Sequence, residues 1–322
     1  MNLDLPRRAL LAVALTAPSL ARAQTWPSGP IRLVVASAPG SQPDLMARLV
    51  ADPLGVALGT SVVVDNRVGQ GGTIGMENVI RSRADGQTLL MGALNHAINQ
   101  SLFRPATFDW LVELEAVAPV YNTPNVIVVN KEVPANSLAE LVALARARPG
   151  QLNFASAGSG TSLHLAGELL NQIEGIELVH VPYRSSGGAA QDLEAGRVQI
   201  MFDNFAPAIA RVEGGRVRAL AVMSAARVPR LPDVPSVAEL GYPQLEMLVW
   251  GGIFAHARTP VAILDRLHDE IVRIIATPNV RARLDQLGSL PIATDRAAFR
   301  ALTVAETERW SRVVIASGAK PE

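Results

Sequence analysis

Residues 31–41 read Ile-Arg-Leu-Val-Val-Ala-Ser-Ala-Pro-Gly-Ser, an apolar run rich in β-branched residues that ends in small residues. The run predicts a buried strand, and the apolar spacing over 45–50 predicts a helix directly after it. The stretch 154–162, Phe-Ala-Ser-Ala-Gly-Ser-Gly-Thr-Ser, has the same arrangement. A strand that ends in Ala-Ser-Ala and leads into a helix therefore occurs twice.

The alternation of strand and helix patterns continues along the chain of 322 residues. Further short apolar runs lie at 62–64, 88–91, 126–129, 178–181, 198–202 and 220–222. Continuous apolar strands separated by helices are typical of parallel sheets that are covered on both faces. The sequence therefore predicts the α/β class, and its length favours two medium-sized domains.

The N-terminus has the three-part layout of a secretory signal peptide. A basic pair, Arg7-Arg8, precedes an apolar run over 9–20 and the small-x-small site Ala21-Arg22-Ala23. We therefore predict a signal peptide over 1–23 and a periplasmic location for the mature chain. A membrane anchor is disfavoured because the apolar run is short and contains Pro18. The arginine pair fits either Sec or twin-arginine export.

The composition excludes several classes of function. Lysine and arginine together balance aspartate and glutamate at 29 each, so no basic excess favours nucleic acid or an anionic membrane surface. The chain has no cysteine, which excludes disulfides, thiolate metal sites and thiol nucleophiles. Its five histidines show no metal-ligand spacing. We expect no cofactor, no metal, no nucleic-acid partner and a monomer.

The two repeated turns carry the strongest functional signal. We name residues 36–41 loop 1 and residues 156–162 loop 2. A helix N-terminus offers unpaired N–H groups and the positive end of the helix dipole, so it can hold an anion without Lys or Arg. Two such loops facing each other would hold a carboxylate, although each is also compatible with an ordinary strand-to-helix turn. A third glycine-rich stretch, 69–75, lacks the dinucleotide-binding spacing.

Polar residues at three further places admit two interpretations. His164 lies in the first turn after loop 2, and either contacts a ligand or caps the helix. Asp203-Asn204 follow an apolar strand and Asn95-His96 follow another, so each pair either lines a cleft or caps a turn. His180, inside an apolar strand, is expected to be a core residue.

No enzyme motif accompanies these residues. The chain has no G-x-S-x-G elbow and no H-E-x-x-H motif, and neither glycine-rich stretch carries the P-loop lysine. The alternative to a binding protein is an exported serine hydrolase that uses Ser159 and His164. We expect no catalysis.

Several stretches, taken in order, resemble the Bug receptors, the periplasmic solute-binding components of tripartite tricarboxylate transporters. They include Asp65-Asn66-Arg67 with Gly71-Gly72-Thr73-Ile74-Gly75, Ala155-Ser156-Ala157-Gly158, His180-Val181-Pro182-Tyr183 and Met201-Phe202-Asp203-Asn204. The chain departs from the family pattern at Ser41 and at Ala93-Leu94, where relatives often carry Gly and hydroxyl side chains.

The resemblance implies a fold like that of type II periplasmic binding proteins, with two α/β lobes, a hinge and a ligand cleft between the lobes. Lobe 1 would comprise 24–124 and 224–322, and lobe 2 would comprise 125–223. The return to lobe 1 is expected near the strand 217–223 or, alternatively, near the segment 248–255. The ligand would be a small organic carboxylate. The protein would either pass it to integral-membrane transporter subunits or sense it as an orphan receptor. The resemblance implies a set of ligand-binding residues, and Asn95 joins them because of its place after a strand. The full set is Ser37, Ala38, Pro39, Gly40, Ser41, Asn95, Ser156, Gly158, Ser159, Thr161, Ser162, His164, Asp203 and Asn204.

Overall fold

A computed structural model describes residues 26–103 and 108–320. The predicted signal peptide lies outside the described residues. The strands are β1 (Ile31–Val35), β2 (Val62–Asn66), β3 (Thr88–Ala93), β4 (Leu114–Asn130), β5 (Asn153–Ser156), β6 (Val179–Pro182), β7 (Ile200–Asn204), β8 (Val217–Val222), β9 (Leu248–His256) and β10 (Leu290–Pro291). The helices are α1 (Gln42–Leu58), α2 (Thr73–Ile80), α3 (Leu94–Leu102), α4 (Trp110–Glu113), α5 (Leu138–Ala147), α6 (Ser162–Glu174), α7 (Ser186–Glu194), α8 (Phe205–Glu213), α9 (Val261–Ala276), α10 (Pro278–Gln286) and α11 (Arg296–Ser317).

The sheet confirms the α/β class and corrects one detail. Strands run in the order β2-β1-β3-β9-β4-β7-β5-β6, and β8 and β10 also pair with β4. The pairs β1 with β2 and β3, and β5 with β6 and β7, are parallel as predicted. The prediction of parallel sheets is wrong at β4, β8 and β9, which pair antiparallel with their neighbours.

The long strand β4 connects two lobes. Its residues 114–124 pair with β9, beside the strands of lobe 1. Its residues 125–130 pair with β7 and β8 of lobe 2. The strand partners therefore change between Pro124 and Asn125. The predicted lobe boundaries remain a proposal. The contacts of residues 224–247 indicate where the chain returns from lobe 2 to lobe 1.

The segment 224–247 packs mainly against lobe 2. Val228 and Leu231 join the apolar cluster that contains Met201 of β7, and the Met247 N–H donates to the Met223 carbonyl. The next residues that pair with a lobe 1 strand are those of β9, from Leu248 onward. These contacts favour a return to lobe 1 at 248 rather than at 224.

Strand β1 shows why the opening run is almost wholly apolar. Val34 lies in the core shared with α3 and α11, whereas Leu33 and Val35 lie in the core shared with α1 and α9. All three side chains are fully buried. A strand covered on both faces needs apolar residues at every position, and its carboxyl end delivers loop 1 to the edge of the sheet.

Candidate functional site

Loop 1 connects β1 to α1 and is held by a buried carboxylate. Gly40 has a φ of +78°, and its N–H donates to Asp44 Oδ2 at 2.9 Å. The Ser41 hydroxyl lies 2.7 Å from the Ser37 hydroxyl and makes no capping hydrogen bond to α1. Ala38 and Pro39 are exposed. Asp44 therefore accepts the Gly40 N–H, and Ser41 does not cap α1 with its side chain.

Hydrogen bonds stabilise the charged form of the Asp44 carboxylate. Burial opposes ionisation, but hydrogen bonds from Arg48, the Gly40 N–H and Asn66 outweigh it, and the pKa of Asp44 is lowered. Arg48 Nε lies 3.1 Å from the carboxylate, and Asn66 Nδ2 donates to it at 2.9 Å. Loop 1 therefore contains a fixed negative charge beside the Gly40 N–H, which is not free for a ligand.

Loop 2 connects β5 to α6 and is closed by its own hydrogen bonds. Thr161 caps α6 by accepting from the His164 N–H at 3.3 Å, and its hydroxyl donates to the Gly158 carbonyl at 2.8 Å. Gly160 has a φ of +75°, and its N–H donates to His164 Nδ1 at 3.0 Å. Ser162, at the first position of α6, is half-buried, as is Ser159.

His164 and Ser156 form part of the interior of loop 2. His164 is 6% exposed, its Nε2 lies 3.5 Å from Glu168 Oε1, and its ring stacks on His180 with centroids 3.8 Å apart. Ser156 is fully buried, and its hydroxyl lies 2.7 Å from His180 Nε2. The polar atoms of His164 and Ser156 are therefore engaged inside the loop, and their contact with a ligand stays a prediction.

Asp203 and Asn204 have different roles. The Asp203 carboxylate is fully buried, 2.5 Å from Arg211 of α8, and accepts the Asn204 N–H at 2.8 Å. Burial raises the pKa of Asp203 to about 6, although Arg211 and the Asn204 N–H lower it. Asp203 therefore connects the end of β7 to α8, and its predicted contact with a ligand stays a prediction. Asn204 occupies the N-cap position of α8, where its side chain makes no capping hydrogen bond.

The glycine-rich stretch 69–72 packs against α3. Asn95 is exposed and donates to the Gly71 carbonyl at 3.3 Å, and Asn99 donates to the same oxygen. A Cβ on Gly72 would lie 2.9 Å from His96 Nε2, so only glycine leaves room for this ring. Asn95 and His96 therefore join α3 to a neighbouring loop of lobe 1.

A cleft of about 500 Å³ lies between the lobes. It contains loop 1 and the first turn of α1 on one side, and the first turn of α8 on the other. Its lining residues are Gly40, Gln42, Leu45, Met46, Thr123, Asn204, Phe205, Ala206, Pro207 and Leu287. Of the predicted site residues, Gly40 and Asn204 meet here. Within the described part of the chain, no residue of loop 2 lines this cleft.

Loop 2 contacts lobe 1 at a different place. A Cβ on Gly160 would lie 2.4 Å from Leu102 Cδ2 at the end of α3, so the two lobes touch closely at this glycine. The structure thus places the two predicted loops at separate contacts between the lobes, rather than as a single facing pair.

Sequence reasoning missed a network of hydrogen bonds between Gln42, Thr123 and Ser289 at one side of the cleft. Gln42 Nε2 donates to Thr123 Oγ1 and, at 3.1 Å, to Ser289 Oγ, and the two hydroxyl oxygens lie 2.7 Å apart. Gln42 begins α1 and could have been suspected from its position. Thr123 and Ser289 lie far apart in the chain, and no local pattern marks them.

The described residues hold neither a metal-ligand cluster nor a membrane-spanning helix. They contain no group of three or more His, Cys, Asp or Glu residues that could hold a metal ion. None of the helices within 26–103 and 108–320 is both long and apolar enough to cross a membrane. His164 Nδ1 accepts the Gly160 N–H, and its Nε2 lies 3.5 Å from Glu168 Oε1.

The chain matches the family model described as "Tripartite tricarboxylate transporter family receptor" over residues 46–318. The chain belongs to this receptor family. The receptor is 38% identical to the "UPF0065 protein in tcbD-tcbE intergenic region" of Pseudomonas sp. (strain P51) over 96% of its length and 94% of the relative. It is 35% identical to BugT of Bordetella pertussis, with 92% of each chain covered.

Solved structures agree with this assignment. The receptor superposes on an R. palustris protein solved with adipate with a TM-score of 0.78 and 32% identity, over 92% of this chain and all of the other. For MatC from Rhodopseudomonas palustris with bound malate, the TM-score is 0.75 and the identity 30%, over 90% of this chain and all of the other. The predicted receptor family and the predicted fold class are therefore confirmed.

Proposed function

We propose that this receptor captures one small organic carboxylate in the cleft between its lobes and releases it unchanged. The observation that carries the proposal is that the first turns of α1 and α8 open onto one cleft of about 500 Å³ between the lobes. Helix N-termini favour a negative group without Lys or Arg, and this volume suits a small molecule. The related proteins solved with adipate and malate support the ligand class.

We further propose that the receptor acts in the periplasm as a monomer, after removal of residues 1–23 by either export route. It would then deliver its ligand to integral-membrane transporter subunits or report its presence as a sensing receptor. Membership of the family supports both roles. The predicted site residues that do not line the cleft stay candidates for contact with the ligand as the lobes close; they are Ser37, Ala38, Pro39, Ser41, Asn95, Ser156, Gly158, Ser159, Thr161, Ser162, His164 and Asp203.

Native mass spectrometry of protein purified from the periplasm without refolding tests the proposal. We expect one equivalent of a small carboxylate bound per chain, recovered with its mass unchanged after denaturation. Saturation should raise the melting temperature, since a ligand at a hundred times its Kd adds about 2.7 kcal/mol to the free energy of unfolding. Chemical turnover of a bound ester or amide would contradict the receptor and favour the hydrolase alternative.

A further inference from the structure

A pair of stacked histidines lies beside loop 2. The rings of His164, on α6, and His180, on β6, have centroids 3.8 Å apart and are 21° from parallel. Phe154 of β5 also stacks on His164, with centroids 6.3 Å apart. These neighbours hold the buried ring of His164 in one orientation, so each of its two nitrogens has a fixed environment.

The Nδ1 atom of His164 acts as a hydrogen-bond acceptor. It accepts the N–H of Gly160, a buried residue of loop 2, at 3.0 Å. A histidine that accepts a hydrogen bond at one ring nitrogen is neutral and carries its proton on the other nitrogen. The proton of His164 is therefore assigned to Nε2, which lies 3.5 Å from Glu168 Oε1.

Protonation of His164 would break this arrangement. A second proton, on Nδ1, would face the Gly160 N–H, so two donors would meet and the buried N–H would lose its acceptor. His180 behaves differently, because its Nε2 lies 2.7 Å from the Ser156 hydroxyl, which can accept from a neutral or a charged ring. Of the two rings, His164 is therefore the one whose charge changes the bonding of loop 2.

The charged groups around the His164 ring act in opposite directions. Glu168, on the same helix, favours a positive ring, whereas His180 disfavours a second positive charge beside it. The other elements that pack against α6 contribute titratable groups that already have partners. These are His96 of α3, bonded to Ala93, Asp203 of β7, bonded to Arg211, and Glu306 of α11, bonded to Arg309.

Gly160 is also the residue at which loop 2 meets lobe 1. It packs so closely against Leu102, at the end of α3, that a Cβ would have no room. Its φ of +75° adds a conformation that residues other than glycine rarely adopt. The position of Gly160 therefore determines how closely the two lobes approach each other at this contact.

We infer that His164 is a positioning residue whose neutral ring fixes Gly160 against lobe 1, and whose protonation loosens this contact and weakens the retention of a ligand. His164 acts through Gly160 and needs no contact with the ligand for this role. The inference rests on the proposed function, because it assigns a regulation by pH to the same capture step. The receptor binds its carboxylate at neutral pH and loses affinity as the pH falls.

Amide hydrogen exchange of Gly160, followed by NMR in the ligand-free mature protein, tests the positioning role. We expect the protection factor of this N–H in wild type to fall at least about tenfold between pH 7.5 and 5.5, the range in which histidine changes charge. In His164→Asn, the side-chain oxygen can accept the same N–H at either pH, so protection should change by less than about twofold. Protection that is independent of pH in wild type, or that falls equally in the variant, would overturn the inference.

Isothermal titration with adipate at pH 7.5 and 5.5 tests the coupling to ligand binding. Adipate itself gains protons in this range, so wild type is compared with His164→Asn and with His268→Asn, a control on α9 of lobe 1. The loss of affinity in wild type and in His268→Asn should exceed that in His164→Asn at least about fivefold, since exclusion of one proton from the bound form costs up to about tenfold per pH unit. The same loss in all three proteins would overturn the inference.

Glu168→Gln provides a second test that does not depend on the folding of His164→Asn. It removes the carboxylate that favours the charged ring, so the midpoint of the pH profile should move to lower pH, which a purely structural role of His164 would not produce. An unchanged midpoint would overturn protonation of His164 as the cause. Absence of adipate and malate binding at pH 7.5 would count against the proposed function and the release step, while exchange of the Gly160 N–H would still decide the positioning role.

Discussion

His96 should make the receptor less stable at acidic pH. Its ring is 2% exposed, and Nδ1 lies 2.9 Å from the Ala93 nitrogen and 3.2 Å from the Ala93 oxygen. Nε2 is buried without a partner among the described residues. Burial lowers the pKa of His96 to about 4, although its hydrogen bond to Ala93 works in the opposite direction. The folded state therefore holds the neutral ring.

The sign of the effect follows from proton linkage. An unfolded histidine has a pKa of about 6.5. As the pH falls below this value, His96 becomes protonated in the unfolded chain, whereas in the folded chain it stays neutral until about pH 4. The stability contributed by neutral His96 is complete above about pH 6.5 and is lost between about pH 6.5 and 4. The loss approaches about 1.4 kcal/mol per pH unit and totals about 3 kcal/mol.

Urea denaturation of wild type and His96→Asn at several pH values between 7.5 and 4.5 measures this contribution. The asparagine oxygen can accept the Ala93 N–H in place of Nδ1, so the variant should fold. The free-energy difference between the two proteins should narrow by about 2.5 kcal/mol as the pH falls over this range. A difference independent of pH, or an NMR titration of His96 near pH 6.5, would refute the reasoning.

Three other substitutions have defined outcomes. Asp203→Asn should remove a pH dependence of stability whose sign is opposite to that of His96. The pKa of Asp203 is raised to about 6, so its contribution to stability is present at low pH and is lost as the pH rises from about 4 to 6. Urea denaturation at several pH values measures this contribution. Gly288→Ala places a Cβ 3.1 Å from the first residue of α8, whereas Gly215→Ala shares its positive φ but meets nothing within 4 Å. Both should cost about 1 kcal/mol in thermal unfolding, and only Gly288→Ala should also weaken adipate binding several-fold in calorimetry. Gly160→Ala should destabilise the ligand-bound form more than the apo form, and the added change Leu102→Ala should recover part of this loss, as followed by melting temperature.

Much of the fold could be predicted because its signals are local. The apolar run 31–35 is buried on both faces, so it cannot alternate with polar residues, and the small residues after it mark the turn into α1. Antiparallel pairing of β4 and β9 was missed because strand direction is set by partners more than a hundred residues apart. A similar separation in sequence hides Leu287, which lines the cleft, and Ser289, which bonds to Gln42 and Thr123 beside it.

The roles of the loop residues were harder to predict because polar groups at a helix N-terminus often form hydrogen bonds within the protein, which leaves fewer of them for a ligand. In α1, α5 and α6, the third helical residue accepts an N–H from the residue four positions before it, in the pairs Gly40 with Asp44, Asn136 with Glu140, and Gly160 with His164. This spacing is visible in the sequence, and it shows which loop N–H groups are already used. Recognition of an anion then depends on the remaining N–H groups of the first turn and on amides such as Asn204, so the unpaired end of α8 is a better candidate than either serine-rich loop alone.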